Sequence, residues 1–253
     1  MTSNNSSILF FIILTLLFFI FKHFSKSPET TKIWTIIYFC LLITVQFFIN
    51  LNITNEVCGF SQTNVAFSTT LYPWLFIFGI IVFLLKMFPN WIDPFSNTIG
   101  YFFAIVGGVG SFLNSILNEN LKAKGQEEEV VKAINYIYQD KSLLINSINF
   151  SNINQWWSSM LNGGLLKKNV GQVEFDKLYS FIKMKTEIGE FIWYLFAGIL
   201  TTTISYNYII NSGCKQSVQE MEKRQNEYLE KEKKINESNK KKESEQIIYK
   251  SYE

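Results

Sequence analysis

The sequence is poor in the residues that recognise nucleic acids. Its 253 residues include one arginine, Arg224, and carry a formal net charge of +2. Guanidinium groups make the bidentate contacts that proteins use to recognise phosphate and guanine. A chain with one arginine and a nearly balanced charge is therefore a poor candidate for binding nucleic acid, and we predict no nucleic-acid partner.

The common catalytic and metal-binding patterns are missing as well. A Ser/His/Asp triad would have to use the one histidine, His23, which follows Lys22 at the end of an apolar run and is better interpreted as a residue at a membrane surface. The three cysteines, Cys40, Cys58 and Cys214, form no C-x-x-C pair and no zinc-type spacing. We predict no catalytic residues, no cofactor and no metal, and expect a protein that is not an enzyme.

Charge is also scarce, and its distribution predicts the fold class. Charged residues make up 17% of the chain, against about 25% in a typical soluble domain. A helix needs roughly 20 apolar residues to cross a bilayer. Five blocks reach or approach this length, at about 7–24, 33–53, 67–85, 99–117 and 191–210. We therefore predict an all-α, polytopic transmembrane helical protein with about five spans.

The fourth of these blocks is the least regular. It contains Gly107, Gly108, Gly110 and Asn114. Small residues let transmembrane helices approach closely, and the Lys-Ser/Thr pair of a phosphate-binding loop is missing, so we assign the three glycines to helix packing. A re-entrant helix is the alternative for 99–117, and it would change the side of the membrane on which every later segment lies.

Lysines in short loops predict the orientation of the spans. They occur in the first loop, after the third span and at the start of the tail, and with five spans all three segments lie on one side (Lys22, Lys26, Lys32, Lys86 and Lys215). The N-terminus is then luminal or outside and the C-terminus is cytosolic. Cys58 and Cys214 would face opposite sides, so a disulfide between them is expected only with four spans.

Residues 119–190 are the main segment outside the predicted spans. Apolar residues recur at helical spacing in 127–148 and 174–195, with QWWSSMLNGGLLKK (155–168) between them. Trp156 and Trp157 are predicted to lie at the membrane interface, which indole rings prefer. We interpret 119–190 as a small helical domain packed on the membrane. Five spans make it luminal, together with the glycosylation acceptors Asn52 and Asn149.

The tail, 211–253, is rich in lysine, glutamate, glutamine and asparagine. Its apolar residues have a heptad-like spacing that Gln225 and Glu232 interrupt (Val218, Met221, Tyr228 and Ile235). A coiled coil needs three or four clean heptads. We predict a charged, solvated helix that frays into a disordered end, with a short partner-binding helix as the alternative.

A resemblance rests on two segments. The first segment is LYPWLFIFGIIVFLLKMFPNWIDPFSNTIGY (71–101). Its apolar helix ends before Pro89, and Pro89 and Pro94 bracket an interhelical turn that contains Trp91. In TTTISYNYIINSGCKQSVQEMEKRQNEY (201–228), a span continues into a charged helix. Together they resemble multi-span virion inner membrane proteins of large icosahedral double-stranded DNA viruses that infect algae and protists.

This resemblance implies a structural protein of a virion membrane or a host endomembrane, and it transfers no catalytic residues. The implied partners are the lipid bilayer and other membrane or capsid proteins, docked through the 119–190 loop and the tail. Two alternatives stay open. One is a pore or transporter-like protein lined by polar residues such as Asn114 and Thr202, although no span has a charge in its middle. The other is an accessory subunit of a membrane complex encoded by an AT-rich organelle.

Overall fold

The structure, a computed structural model, describes residues 2–25, 27–118, 136, 139–214 and 218–250. The described residues form helices and no β-strand, which confirms the predicted all-α fold class. The chain divides into two compact units after Asn211, and each is described by itself. Much of the helix predicted at 127–148 lies outside the described residues.

The described helices are named in chain order. They are α1 (Thr2–Phe24), α2 (Pro28–Cys58), α3 (Thr63–Pro73), α4 (Ile80–Met87), α5 (Asp93–Phe95), α6 (Tyr101–Val106), α7 (Val109–Ile116), α8 (Lys141–Asn146), α9 (Ile153–Asn162), α10 (Gln172–Asn211) and α11 (Val218–Lys250). Trp74–Gly79 and Ser96–Gly100 are π-helical, and Pro89–Ile92 is a 3-10 turn. The second unit contains α11, and the other helices belong to the first.

Four of the predicted spans coincide with helices that are long and apolar enough to cross a membrane. These are Asn5–Phe24, Pro28–Cys58, Thr63–Met87 and Gln172–Asn211. The start of α2 shows why the boundaries fall where they do. Ser27 caps the helix by accepting a hydrogen bond from the backbone N–H of Thr30 (3.1 Å), and Pro28 occupies the first turn. Gly59, with a φ of +69°, ends it.

α1 and α2 form an antiparallel pair held by polar side chains inside the bundle. Ser7 Oγ donates to Gln46 Oε1 at 2.7 Å, and the hydroxyls of Thr15 and Tyr38 lie 3.0 Å apart. Residues early in α1 therefore meet residues late in α2. These four side chains thus find polar partners within the protein, as an apolar surrounding requires.

α10 also runs antiparallel to α1. Lys22, near the end of α1, pairs with Glu190, whereas Phe11 packs on Gly198 later in α10. Since α2 and α10 are both antiparallel to α1, they run in the same direction. Their C-terminal residues, Cys58 and Asn211, consequently lie at the same end of the bundle, which is the arrangement expected for four spans.

The fourth predicted span, 99–117, is not a straight helix. Its two parts, Pro89–Val106 and Val109–Ile116, meet at an angle of 79°. Gly108 allows this bend because its φ is +92°, in the left-handed region that L side chains rarely adopt. α7 then contributes to a core with α8, α9 and the first part of α10 (Phe112, Leu113, Ile116, Ile145, Ile153, Leu178 and Ile182). The structure thus has four helices that could cross a membrane, or five if the bent pair is a broken span, and the bent pair fits the re-entrant alternative stated for 99–117.

The packing role predicted for the three glycines is corrected by the same geometry. A Cβ added to Gly108 or Gly110 would meet nothing within 4 Å. One added to Gly107 would lie 3.2 Å from the flexible end of Met184. Gly107 and Gly108 therefore form a turn, and Gly110 has open space beside it.

Close helix packing depends on glycines of α10 that the sequence analysis did not single out. A Cβ on Gly198 would lie 2.0 Å from Cζ of the fully buried Phe11, and a Cβ on Gly189 would lie 2.7 Å from the backbone nitrogen of Ser96. Small residues at these positions let α1 and the Ser96–Gly100 segment approach the backbone of α10.

The orientation predicted from lysines changes with the number of spans. With four spans, the first loop and the 139–171 region lie at one end of the bundle, whereas α10 reaches the tail from the other end. The lysines of the first loop and of the tail then no longer share a side. With four spans, Asn52 on α2 and Asn149 after α8 would lie on opposite sides of the membrane, so the prediction that both are luminal applies only with five spans.

Cysteine accessibility tests the four-span arrangement. In a chain with Cys40 replaced by serine, single cysteines are placed at the exposed positions Ser61, Asn90 and Ser159. An impermeant maleimide added to sealed vesicles should label Asn90→Cys and Ser159→Cys from the same side, and Ser61→Cys from the opposite side. Ser61 and Asn90 lie on opposite sides of the membrane whether the chain has four or five spans, so these two positions serve as controls. Labelling of Ser159→Cys together with Ser61→Cys would restore five spans.

Substitution of Gly198 tests the α1–α10 contact. Gly198→Ala should lower the free energy of unfolding in detergent by about 1–3 kcal/mol, because the methyl group overpacks against Phe11. The matched control is Gly110→Ala, which adds the same methyl group to open space in a helix and should stabilise by about 0.5–1 kcal/mol. Thermal unfolding followed by circular dichroism measures both, and equal effects would show that Gly198 is not a packing position.

Candidate functional site at the lysine-rich end of the bundle

A group of charged side chains lies where α1 and α10 leave the apolar bundle. Lys22 pairs with Glu190, and His23 Nδ1 lies 2.6 Å from Glu187 Oε2. Lys183 Nζ is 3.9 Å from Glu187 Oε1 and donates to the backbone oxygen of His23 at 2.7 Å. We refer to these five residues as the charge cluster. It connects the C-terminal end of α1 to α10.

The basic members of the charge cluster are its more exposed members. The exposed fractions of their side chains are 43% for His23, 27% for Lys183 and 19% for Lys22, against 16% for Glu190 and 11% for Glu187. The two carboxylates, which belong to α10, are therefore the least exposed members of the charge cluster.

Lys185 is a buried charge two residues after Lys183. Its side chain is 2% exposed, and Nζ donates to Asn97 Oδ1 (2.8 Å), the backbone oxygen of Ile145 (3.1 Å) and Asn146 Oδ1 (3.3 Å). Burial lowers the pKa of this amine to about 8, because removal from water disfavours the charged form, while Asp93 acts in the opposite direction.

The Lys185 site joins three segments of the first unit. Asn97 comes from the π-helical segment Ser96–Gly100, and Asn146 ends α8. The Ser96–Gly100 segment can lie this close to α10 only because position 100 is a glycine. A Cβ on Gly100 would lie 2.3 Å from the backbone oxygen of Lys185. A buried amine with three uncharged acceptors and no exposed surface suits a structural connection between the bundle and the helical domain.

An apolar groove of about 400 Å³ opens beside the charge cluster. α1, α6 and α10 line it with side chains that include Leu16, Ile20, Phe103, Ile188 and Ile192. His23 and Glu187 of the charge cluster are the polar residues of an otherwise apolar lining. No segment of the sequence predicted this groove, because its lining comes from three helices that are far apart along the chain.

The polar residues considered for a pore lie on α7 and on α10. Asn114 is exposed on α7, outside the four straight spans. The hydroxyl groups on α10 donate to carbonyl oxygens three or four residues earlier in the same helix (Thr201, Thr202, Thr203 and Ser205). Local hydrogen bonding within the helix therefore accounts for these residues.

The proline-bracketed turn lies where the sequence predicts it. Pro89 begins the 3-10 turn that follows α4, and Pro94 lies in the first turn of α5. The backbone oxygen of Trp91 accepts a hydrogen bond from Trp193 Nε1 at 2.7 Å. This contact fastens the turn to α10, a role that the local sequence did not indicate.

Trp156 and Trp157 lie in α9 and pack on the core of the helical domain, half-buried. The ring of Trp157 meets Phe175 edge-on, with centroids 5.4 Å apart. Phe175 precedes Phe191, where the apolar part of α10 begins, by 16 residues, or about 24 Å of helix. Trp157 is thus far along α10 from the bundle, and we correct its interfacial role to one of packing within the helical domain.

Two of the three cysteines are oxidised. Cys58, at the end of α2, and Cys214 are disulfide-bonded, whereas Cys40 is an exposed free thiol. The sequence predicts a disulfide between Cys58 and Cys214 only with four spans, and the shared direction of α2 and α10 agrees with four spans.

No protein-family model, curated protein or solved structure matches the chain. Among the described residues, no group of three or more His, Cys, Asp or Glu side chains is placed to hold a metal ion.

The pH dependence of stability tests the burial of Lys185. The pKa of Lys185 is about 8 in the folded chain, whereas the ordinary value for a lysine, which applies to the unfolded chain, is 10.5. Between pH 8 and pH 10.5 the unfolded chain therefore binds more protons than the folded chain. Stability should then rise as the pH increases from 8 to 10.5. Lys185→Met removes this titration while filling the same space.

The free energy of unfolding is measured for the native chain and for Lys185→Met at a series of pH values. Taking the difference between the two chains cancels the contribution of the other titrating groups, which both chains share. Lys86→Met, at an exposed position on α4, is the control and should leave the native slope unchanged. Identical slopes for Lys185→Met and the native chain would contradict the proposed burial.

Proposed function

We propose that this chain is a non-enzymatic integral membrane protein that anchors a helical docking domain to a bilayer, as a structural component of a viral membrane that holds capsid proteins. The observation that carries this proposal is the continuity of α10, which runs for 40 residues from Gln172 to Asn211. One helix thus belongs both to the transmembrane bundle and to the helical domain outside it.

Two separate cores pack against this one helix. The bundle core is aromatic and includes Phe11, Trp74, Phe78 and Tyr194. The core of the helical domain uses the earlier part of α10, with Leu178 and other residues packed against α7, α8 and α9. Because both cores share a continuous helix, force applied to the helical domain is transmitted directly to the bundle, which is what an anchor requires.

The charge cluster and the Lys185 site strengthen the same connection. They link α1, the Ser96–Gly100 segment and α8 to successive turns of α10. Exposed ion pairs contribute little on their own, about 0–1 kcal/mol. Here the pairs are partly buried and combined with a fully buried amine, so they restrain how the domain is oriented on the bundle.

The tail supplies a second surface for partners. Every described side chain of α11 between positions 221 and 240 is exposed. Opposite charges spaced four residues apart, such as Glu227 and Lys231, support a solvated helix. A long charged helix with exposed apolar residues such as Leu229 is suited to docking against another protein.

Photo-crosslinking in purified particles that contain the protein tests this role. A photoreactive phenylalanine analogue replaces Phe150 in the helical domain or Leu229 in α11, both of which are exposed. These positions should give adducts with a capsid protein, several-fold above those from the same analogue at Leu75, an exposed residue of the transmembrane bundle.

Two results would count against the proposal. One is release of the protein alone by mild detergent, with no capsid adduct from either position. The other is ion flux through liposomes that contain the purified chain, lost on changing Thr202 to Leu, which would favour the pore alternative.

A further inference from the structure

The disulfide between Cys58 and Cys214 indicates the direction in which the chain crosses its membrane. Cys58 ends α2, and Cys214 follows the last residue of α10 by three positions. Joining two thiols releases two protons and two electrons, so it needs an oxidant. The lumen of the endoplasmic reticulum supplies one, whereas the cytosol keeps thiols reduced. We therefore expect the C-terminal ends of α2 and α10 on the luminal side.

The distribution of lysines indicates the same direction independently. The loop between α2 and α3, 59–62, contains no lysine or arginine. The opposite end of the bundle carries the lysines of the first loop, of α4 and of the early part of α10 (Lys22, Lys26, Lys32, Lys86, Lys177, Lys183 and Lys185). Over about 15 residues, the range in which such charges are counted, the chain after α10 carries fewer (Lys215, Lys223 and Arg224). Because an excess of basic residues marks the cytosolic side, the lysine-rich end is cytosolic.

The tail follows α10 on the luminal side. Its described part, 218–250, is a single helix, α11, which is not among the helices long and apolar enough to cross a membrane. This part of the chain therefore does not return to the cytosol. The five-span prediction had the opposite result, a cytosolic C-terminus, because it counted 99–117 as a crossing between Cys58 and Cys214.

α11 contains an acceptor sequence for N-linked glycosylation. Asn236, Glu237 and Ser238 form the Asn-x-Ser pattern. All three side chains are exposed, and Ser238 Oγ donates to the backbone oxygen of Ile235 at 3.1 Å. Asn236 follows Asn211, the last residue of α10, by 25 residues, so it is well separated along the chain from the last span. A bulky, hydrophilic glycan at this position displaces no packed side chain.

The other four Asn-x-Ser/Thr sequences are less well placed. Asn4 and Asn5 lie at the start of the first span, and Asn52 lies inside the second. Thr54, which completes the acceptor at Asn52, is buried and donates its hydroxyl to a backbone oxygen of its own helix. Asn149 belongs to the helical domain, on the cytosolic side. Asn236 is thus the acceptor that is exposed, outside the spans and luminal.

We propose that Asn236 is an N-glycosylation site on a luminal tail. The co-reactant is an oligosaccharide carried on a lipid diphosphate, which an oligosaccharyltransferase of the lumen supplies. Nδ2 of Asn236 forms a bond to the anomeric carbon of the oligosaccharide as the bond from that carbon to the diphosphate oxygen breaks. Nδ2 loses one proton, and the lipid diphosphate leaves. The site rests on the direction of the spans and not on the docking role, so either proposal can fail without the other.

Translation of the full chain in the presence of endoplasmic reticulum microsomes tests the site. The native chain should carry one glycan, seen as a lower electrophoretic mobility that an endoglycosidase reverses. Asn236→Gln should remove this glycan, whereas the matched variant Asn149→Gln should retain it. Ser238→Thr should raise the glycosylated fraction several-fold, because threonine acceptors are modified more efficiently than serine acceptors.

Thiol counting tests the compartment separately. In the denatured chain without a reductant, a polyethylene-glycol maleimide should add at Cys40 alone, and after reduction it should add at Cys58 and Cys214 as well. Cys214→Ser should expose the Cys58 thiol before reduction. The native chain translated in a reducing mixture without microsomes is the control, and all of its cysteines should react.

Three results would overturn the proposal. Absence of a glycan from both the native chain and Ser238→Thr would mean that the tail is not luminal. A glycan that Asn149→Gln removes would mean that the helical domain is luminal. Reaction of Cys58 and Cys214 before reduction, in the chain made with microsomes, would mean that these cysteines do not lie in an oxidising compartment.

Discussion

The contact of Phe11 with Gly198 is the interaction on which the rest of the first unit depends. The ring lies on the bare backbone of α10, where a Cβ would be 2.0 Å from Cζ, and it is fully buried. The contact sets the register of two antiparallel helices. Lys22 and His23 lie about three turns after Phe11, and Glu187 lies about three turns before Gly198. The same register therefore brings the charge cluster together.

α10 illustrates how one helix can serve two surroundings. Its later part is apolar and contributes Tyr194 and Ala197 to the aromatic core of the bundle. Its earlier part carries Leu178 and Ile182 on one face and charged residues elsewhere, as expected for a helix half-covered by protein and half-covered by water. The transition between them is occupied by paired or buried charges, because an unpaired charge there would lose its hydration without compensation. Lys185, with three uncharged acceptors, is the extreme case.

Several features of the fold could be predicted from sequence, and they share a physical basis. Four spans follow from the length of uninterrupted apolar runs, since the bilayer covers any such helix regardless of its neighbours. The turn at Pro89 and Pro94 follows from local steric rules. The fourth predicted span is a bent helix pair, either a broken span or a re-entrant segment, because an apolar stretch can be covered by protein as well as by lipid. Residues 99–117 have the composition of a span, yet Phe112 and Leu113 in its second part pack in a core with α8, α9 and α10.

The sequence by itself determined the helical class, the membrane-spanning helices and the scarcity of catalytic residue types, because these depend on composition and on spacing over a few turns. Tertiary structure alone decided which glycines pack, where Lys185 finds its acceptors and which residues line the groove. These features join residues such as His23, Phe103 and Glu187, which are distant along the chain. Such residues meet only after the register between helices is established, and that register depends on side-chain fit across an interface, which no local pattern records.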